Sequence, residues 1–369
     1  MSDFLLKNIY SEAFYEQLSE ILEECLPHFE PQKFKEAIFT PAFTALELKQ
    51  RMKHTADVLH TFLPKEYEKA ASYLVKIVKT LQQKNIAEKS IEYMFLPEYI
   101  ATYGIDFYET SVKTMEEITQ FTSCEFAVRP FLMRYTDQML PQMLLWSAHE
   151  HRKVRRLASE GTRLRLPWGL KVPALAKNLE TILKILENLK QDSCEVVRRS
   201  VANNLNDISR EYPEKVLQIA QRWKGEQPET DALIKHALRT LLKKAHPEAL
   251  ALYGLESKAL ALKTFSLQRN QLRIGEQLSF AFEIQNLSPK EQNTRIEYAI
   301  YFIKNNGMHS KKVFKITERT IAPDATIKFE RQQSFKQMTT RKHYAGTHWI
   351  AILLNGEEKN RLSFELSEE

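Results

Sequence analysis

The chain has 369 residues, 43% of them apolar and 27% charged, the proportions of an ordinary soluble protein with room for two or three domains. No run approaches 18 uninterrupted apolar residues, which excludes a helical membrane span, and Met1–Phe14 lacks the basic start and apolar run of a secretory signal. The formal charge of +6 is unevenly held: Lys and Arg number 15 against 22 Asp and Glu over residues 1–150, 21 against 13 over 151–261, and 17 against 12 over 262–369. Positive potential therefore gathers in the middle and C-terminal parts, which suits nucleic acid or another anionic surface, although long helical proteins also carry solvated basic faces. The three cysteines, Cys25, Cys124 and Cys194, are scattered without metal-ligand spacing and fit reduced, mostly buried thiols of a cytoplasmic protein.

Up to residue 261 the apolar period is helical. Leu74, Ile77, Val78 and Leu81 predict a helix after Ala70, and Leu175 to Leu186 predict one helix over Pro173–Leu189, with the proline at its start. Phe95-Leu96-Pro97, Tyr212-Pro213, Lys224-Gly225 and His246-Pro247 read as turns between helices. One pattern recurs: Val154-Arg155-Arg156-Leu157-Ala158-Ser159-Glu160-Gly161, then Val197-Arg198-Arg199-Ser200-Val201-Ala202-Asn203-Asn204, then a weaker Ile234-Lys235-His236-Ala237-Leu238-Arg239. Starts about 40 residues apart are those of stacked helix-pair repeats, each copy opening a helix. Residues 1–261 are thus expected to form an all-α HEAT-like repeat solenoid with cations recurring along one side.

From residue 262 the period becomes two. Leu278, Phe280, Phe282 and Ile284 alternate with polar residues, as do Ile296, Tyr298, Ile300 and Phe302. With Leu262–Leu267, Val313–Thr317, Thr326–Gln332, Trp349–Leu354 and Leu362–Leu366, about seven strands are predicted, and Asn306-Gly307 and Asn355-Gly356 mark hairpins. Residues 262–369 are expected to form a small all-β immunoglobulin-like sandwich, an adaptor or cap whose basic aromatic segment Arg341-Lys342-His343-Tyr344 offers a second DNA contact.

Chemistry-bearing residues concentrate around the repeats. Gly161-Thr162-Arg163-Leu164-Arg165-Leu166-Pro167-Trp168 is too polar and proline-broken for a helix interior. It reads as a loop presenting Arg163 and Arg165, with Trp168 held by Pro167. The second copy ends in Asn203-Asn204-Leu205-Asn206-Asp207, so stacking would bring Asp207 near Glu160 within the arginine row. Singly, an acid near arginines is most often a surface ion pair and a tryptophan most often a packing anchor. An exposed Pro-Trp loop between two carboxylates on a basic groove suits a nucleobase.

Ser159-Glu160-Gly161-Thr162-Arg163-Leu164-Arg165-Leu166-Pro167-Trp168, together with Val197–Asp207, resembles the AlkC type of alkylpurine DNA glycosylase, in the HEAT-like-repeat superfamily that also holds AlkD. The C-terminal segment is similar to the Ig-like domain of one AlkC subgroup, so the resemblance covers nearly the whole chain. It implies excision of cationic N-alkylated purines, chiefly 3-methyladenine, from duplex DNA without a metal or other cofactor and largely without base flipping. It also implies catalytic roles for Glu160 and Asp207, a further acid at Glu125, and a lesion or sugar contact at Trp168. Arg152, Arg156, Arg163, Arg165 and Arg199 are expected to hold phosphates, and a monomer is expected. The alternative from another class is a non-catalytic repeat scaffold binding nucleic acid or protein through the same groove. A two-metal nuclease is disfavoured, since no Asp/Glu/His cluster has two-metal spacing, the histidines are scattered, and His149 and His151 beside Glu150 read as solvated helix residues.

Overall fold

The computed structural model describes residues 5–86, 91–255, 257–337 and 342–368. Among these, sixteen α-helices precede eight strands. The helices are α1 (Glu12–Cys25), α2 (Pro31–Ile38), α3 (Leu48–Phe62), α4 (Tyr67–Gln83), α5 (Phe95–Tyr103), α6 (Tyr108–Thr119), α7 (Val128–Arg134) and α8 (Thr136–Trp146). They continue as α9 (Arg152–Gly161), α10 (Ala174–Lys177), α11 (Leu179–Leu189), α12 (Glu195–Ile208), α13 (Pro213–Trp223), α14 (Pro228–Ala237), α15 (Arg239–Lys243) and α16 (Pro247–Ala251). Two compact units result: Met1–Ile208 with Trp223–Ala237, and Ser209–Arg222 with Leu238–Glu369. No helix among the described residues is long and apolar enough to cross a membrane.

In the first unit α9 packs on α8 and α12, and α12 packs in turn on α14. The apolar stripe of α4 is buried at Leu74, Ile77, Val78 and Leu81 as its spacing requires. Three expectations need correction. Phe95-Leu96-Pro97 is not a turn; it opens α5, because a proline in a first helical turn sacrifices no intrahelical hydrogen bond. Pro173–Leu189 is two helices, broken at Asn178, whose Nδ2 donates to the Ala174 carbonyl (2.9 Å) and competes with the helical ladder. The third copy of the repeat pattern closes α14 instead of opening a helix: the chain breaks at Leu238 before α15.

The strands are β1 (Leu260–Leu267), β2 (Gln271–Arg273), β3 (Gln277–Asn286), β4 (Gln292–Ile303), β5 (His309–Ile321), β6 (Thr326–Ser334), β7 (Gly346–Leu354) and β8 (Glu357–Ser367). They form a three-stranded sheet, β1-β3-β6, and a five-stranded sheet, β2-β8-β7-β4-β5. Only the three-residue β2, paired parallel to β8, was unforeseen; it is too short to show alternation. Phe282, Ile284, Ile300 and Ile350 are among the fully buried side chains of the core. Along β4, beside the edge strand, both faces are covered: Ala299, Ala351 and Leu353 form a second small cluster, and a buried ion pair joins Arg295 Nη2 to Glu297 Oε1 (2.7 Å). Asn355 (φ 48°) and Gly356 (φ 78°) make the expected two-residue hairpin, and a Cβ on Gly356 would lie 2.4 Å from that of Ala245. Asn306-Gly307 sits instead in a five-residue loop between β4 and β5, closed by Lys304 N donating to the Met308 carbonyl. Of the basic aromatic segment, Arg341 lies outside the described residues, His343 is buried, and Lys342 sits over the Tyr344 ring.

Candidate active site

Three acids and two arginines alternate across the site. Glu125, in the turn before α7, accepts from Arg156 Nη1 at 2.8 Å. The Arg156 guanidinium lies 3.9 Å from Glu160 Oε2. Glu160 Oε1 accepts from Arg163 Nη1 at 2.6 Å, and Arg163 Nε donates to Asp207 Oδ2 at 2.8 Å. Glu160 and Asp207 are thus brought together as the repeats predicted, with Arg163 as the bridge between them. That bridge corrects one expectation: Arg163 is not presented to solvent as a phosphate contact but buried, 7% exposed, with Glu160 and Asp207 at 5% and 4%.

Local sequence explains these positions. Val154, Leu157, Ala158 and Gly161 turn one face of α9 into the core, and Glu160 lies beside that face at the last turn. Thr162 ends the helix by donating from Oγ1 to the Ala158 and Ser159 carbonyls (2.8 and 3.1 Å). From α12, Ser200 Oγ reaches Glu160 Oε2 at 2.5 Å, and Asn204 Nδ2 donates to the Ser159 carbonyl at 2.8 Å. The second repeat therefore holds the acid of the first, while Asp207, on the last turn of α12, is held by an arginine from the first.

Buried charge survives only when paired and hydrogen-bonded. Burial by itself would lower the pKa of Arg163, but the hydrogen bond to Asp207 and the charge of Glu160 outweigh it and hold it above the usual arginine value. The opposite holds at Arg129, 1% exposed: burial first, then the nearby Arg163 charge, bring its pKa down to about 10. Arg129 donates from Nη1 to the carbonyls of Gly161 (2.9 Å) and Arg163 (2.7 Å), and from Nε to that of Leu170 (2.8 Å). It thereby clamps both ends of the loop that carries Arg163 and Trp168. Sequence reasoning passed over Arg129, Ser200 and Asn204, because nothing in the pattern marks a buried arginine or a hydroxyl aimed at an acid.

Trp168 is 63% exposed and adopts φ 61°, a left-handed conformation that costs a bulky side chain about 1–3 kcal/mol. Lys49 of α3, over the Phe126 ring, donates its Nζ to the Trp168 carbonyl. Glu125, Phe126, Glu160, Arg163, Pro167 and Trp168 line a cleft of about 260 Å³, floored by Ile91 and Met94. Arg152, Arg165 and Arg199 are exposed. The first arginine of each repeated pair has a packing job: Arg155 forms a two-point bond with Asp192 (2.5 and 3.0 Å), and Arg198 donates to the Asp192 and Ser193 carbonyls. Cys25 and Cys124 are buried and Cys194 half-buried.

A helical repeat unit with a cleft lined by Glu125, Glu160 and Arg163, edged by an exposed tryptophan and backed by the buried Asp207, is the setting in which the comparisons fall. Residues 36–246 match the family described as DNA alkylation repair enzyme, and residues 261–368 match the C-terminal Ig-like domain of protein YhaZ. The chain belongs to the DNA alkylation repair enzyme family. It is 42% identical over 362 residues to the uncharacterized protein YhaZ of Bacillus subtilis (strain 168), covering 98% of this chain and 99% of that one. It is also similar in structure to the Pseudomonas fluorescens alkylpurine DNA glycosylase AlkC bound to DNA containing an abasic site analog, with a TM-score of 0.93 and 33% identity over 99% of this chain and 100% of the other.

Proposed function

We propose that this protein is a monofunctional DNA glycosylase that hydrolyses the N-glycosidic bond of cationic N-alkylated purines, chiefly 3-methyladenine, in duplex DNA. The observation that carries the reading is the Glu160–Arg163–Asp207 bridge beside an exposed Trp168. A 3-methylated adenine is already cationic, so it leaves without protonation. The C1′–N9 bond breaks with its electron pair going to the base, whose charge is discharged, and positive charge develops on the deoxyribose. Ionised carboxylates stabilise that charge and orient the attacking water, as in other glycoside hydrolysis.

In this reading Asp207 positions the water and supports the sugar cation, Glu160 shares its field, and Glu125 completes it. The open face of Trp168 attracts the cationic base or sugar. Arg163 is a positioning residue that fixes both acids through its two hydrogen bonds. Arg152, Arg156, Arg165 and Arg199 hold phosphates, which position the duplex without reading sequence. The base is attacked largely within the stack, without full extrusion. We further place the functional boundary at 261/262, with residues 1–261 as the glycosylase domain, and take the protein to work as a cytoplasmic monomer.

The test is release of 3-methyladenine from methylated duplex DNA by wild type and Asp207→Asn, with EDTA present. Wild type is expected to release the base with the chelator there, and the variant to be slower by about 10²–10³. No release, alongside salt-sensitive DNA binding, would leave the groove as a scaffold.

A further inference from the structure

The seam between α12 and α14 holds a recess of about 290 Å³, lined neither by the acids of the cleft nor by Trp168. From α12 it takes Arg198 and Arg199, and from α14 His236. The two arginines differ. Arg198 is committed to the Asp192 and Ser193 carbonyls, whereas Arg199 is exposed and has no hydrogen-bond or ion-pair partner among the described residues. Asn203 lies four residues after Arg199, one turn along the same face of α12, and His236 Nε2 donates to its Oδ1 at 3.2 Å. An amide oxygen only accepts, so Nε2 carries the hydrogen and a second proton would enter at Nδ1. The amide thus holds a half-buried imidazole beside the open guanidinium.

From this geometry we infer that Arg199 and His236 together grip one phosphate of the duplex, with His236 contributing when it is protonated. The inference rests on the DNA-binding reading above and carries the phosphate contacts from α12 onto α14. Two cations side by side repel each other. A phosphate between them removes that cost, so DNA binding draws a proton onto the ring. The other charges on the two helices pull both ways: Arg198 and Lys235 oppose the proton, while Glu195, Glu229 and Asp231 favour it. Glu195 and Glu229 would repel a phosphate at their own end of the recess. Each stands in the first turn of its helix, Glu195 one turn before Arg199 and Glu229 two turns before His236, so the phosphate belongs at the Asn203 end. Because the bound phosphate raises the pKa of the ring above its DNA-free value, the extra affinity is complete below the DNA-free pKa. It is lost as pH rises through the DNA-bound one.

Fluorescence anisotropy of the full-length protein on a labelled duplex, across a salt series at about pH 5.5 and about pH 8, brackets the range in which an imidazole titrates. Wild type is expected to show a slope of log affinity against log salt that is steeper at the lower pH by about 0.9, the share of one phosphate. His236→Gln is expected to keep the shallower slope at both values, and His236→Arg the steeper slope at both. The arginine variant therefore gains a contact at the higher pH, which a misfolded protein could not imitate. Single-turnover excision at saturating protein is expected to stay within about twofold of wild type in both variants, since His236 does not line the cleft. A slope that steepens equally in wild type and His236→Gln, or fails to steepen in His236→Arg at the higher pH, overturns the inference. So does a slower saturated rate in His236→Gln, which would attach the residue to the cleft. Wild type that bound no duplex would instead sink the glycosylase reading. Duplex binding and base release with a slope indifferent to pH would sink this inference alone.

Discussion

Arg163 is the one side chain that, in the proposed reaction, would serve stability and chemistry together. Its Nη1 and Nε address acids from two different repeats, a geometry that a planar guanidinium provides and a single ammonium does not. Arg163→Leu removes the one cation bonded to both buried carboxylates, leaving only the more distant Arg156 beside Glu160, and is expected to destabilise the first unit by about 3–5 kcal/mol, read as a lowered thermal midpoint. Arg163→Lys keeps the charge but not the fork. It should recover most of that midpoint while excision stays about 10²-fold down, because small displacements of reacting groups are costly. If Arg163→Lys were as active as wild type, charge alone would suffice and the bridge would have no positioning role.

At the scale of elements, the loop after α9 buries Thr162, Arg163 and Leu166 while leaving Trp168 open. Arg129 clamps its ends, Lys49 holds its middle, and Trp168 is left exposed in a left-handed conformation. Trp168→Gly removes the aromatic face and also relieves the backbone, since glycine adopts positive φ without steric cost. Excision is therefore expected to fall while the thermal midpoint holds or rises; a midpoint that dropped sharply would mark the indole as a packing anchor after all. This loop also shows what the sequence discloses. Its polar, proline-broken composition made it legible as a loop, and the 43-residue offset between Val154 and Val197 placed Glu160 near Asp207. The arginines were not separable that way. Arg155 and Arg156 are neighbours in one motif, yet one clamps Asp192 and the other meets Glu125, because adjacent helical positions point about 100° apart and the pattern does not say which direction is outward. In the second unit, two-residue alternation located the strands, β4 included, but did not disclose that both faces of β4 are covered and bury Arg295 with Glu297.

For the whole molecule, the sorting of arginines into buried and exposed sets carries a prediction about salt. Each phosphate neutralised in duplex DNA contributes about −0.9 to the slope of log affinity against log salt. Arg199→Ala, at an exposed position, should flatten that slope by about this amount, measured by fluorescence anisotropy across a salt series. Arg163→Lys, at a buried one, should leave it unchanged. An unchanged slope in Arg199→Ala would remove that residue from the DNA-facing set.

The exchange of partners between α9 and α12 has a consequence for how the protein responds to heat. Glu160 is held by Ser200 of the next repeat, and Asp207 by Arg163 of the previous one, so neither repeat owns a complete site. Loosening of that one seam dismantles the constellation while every helix is still wound. If the proposed reaction occurs here, activity would report the docking of neighbours, and it is expected to decline on warming before helical content does, measured as excision rate against circular dichroism over the same temperatures.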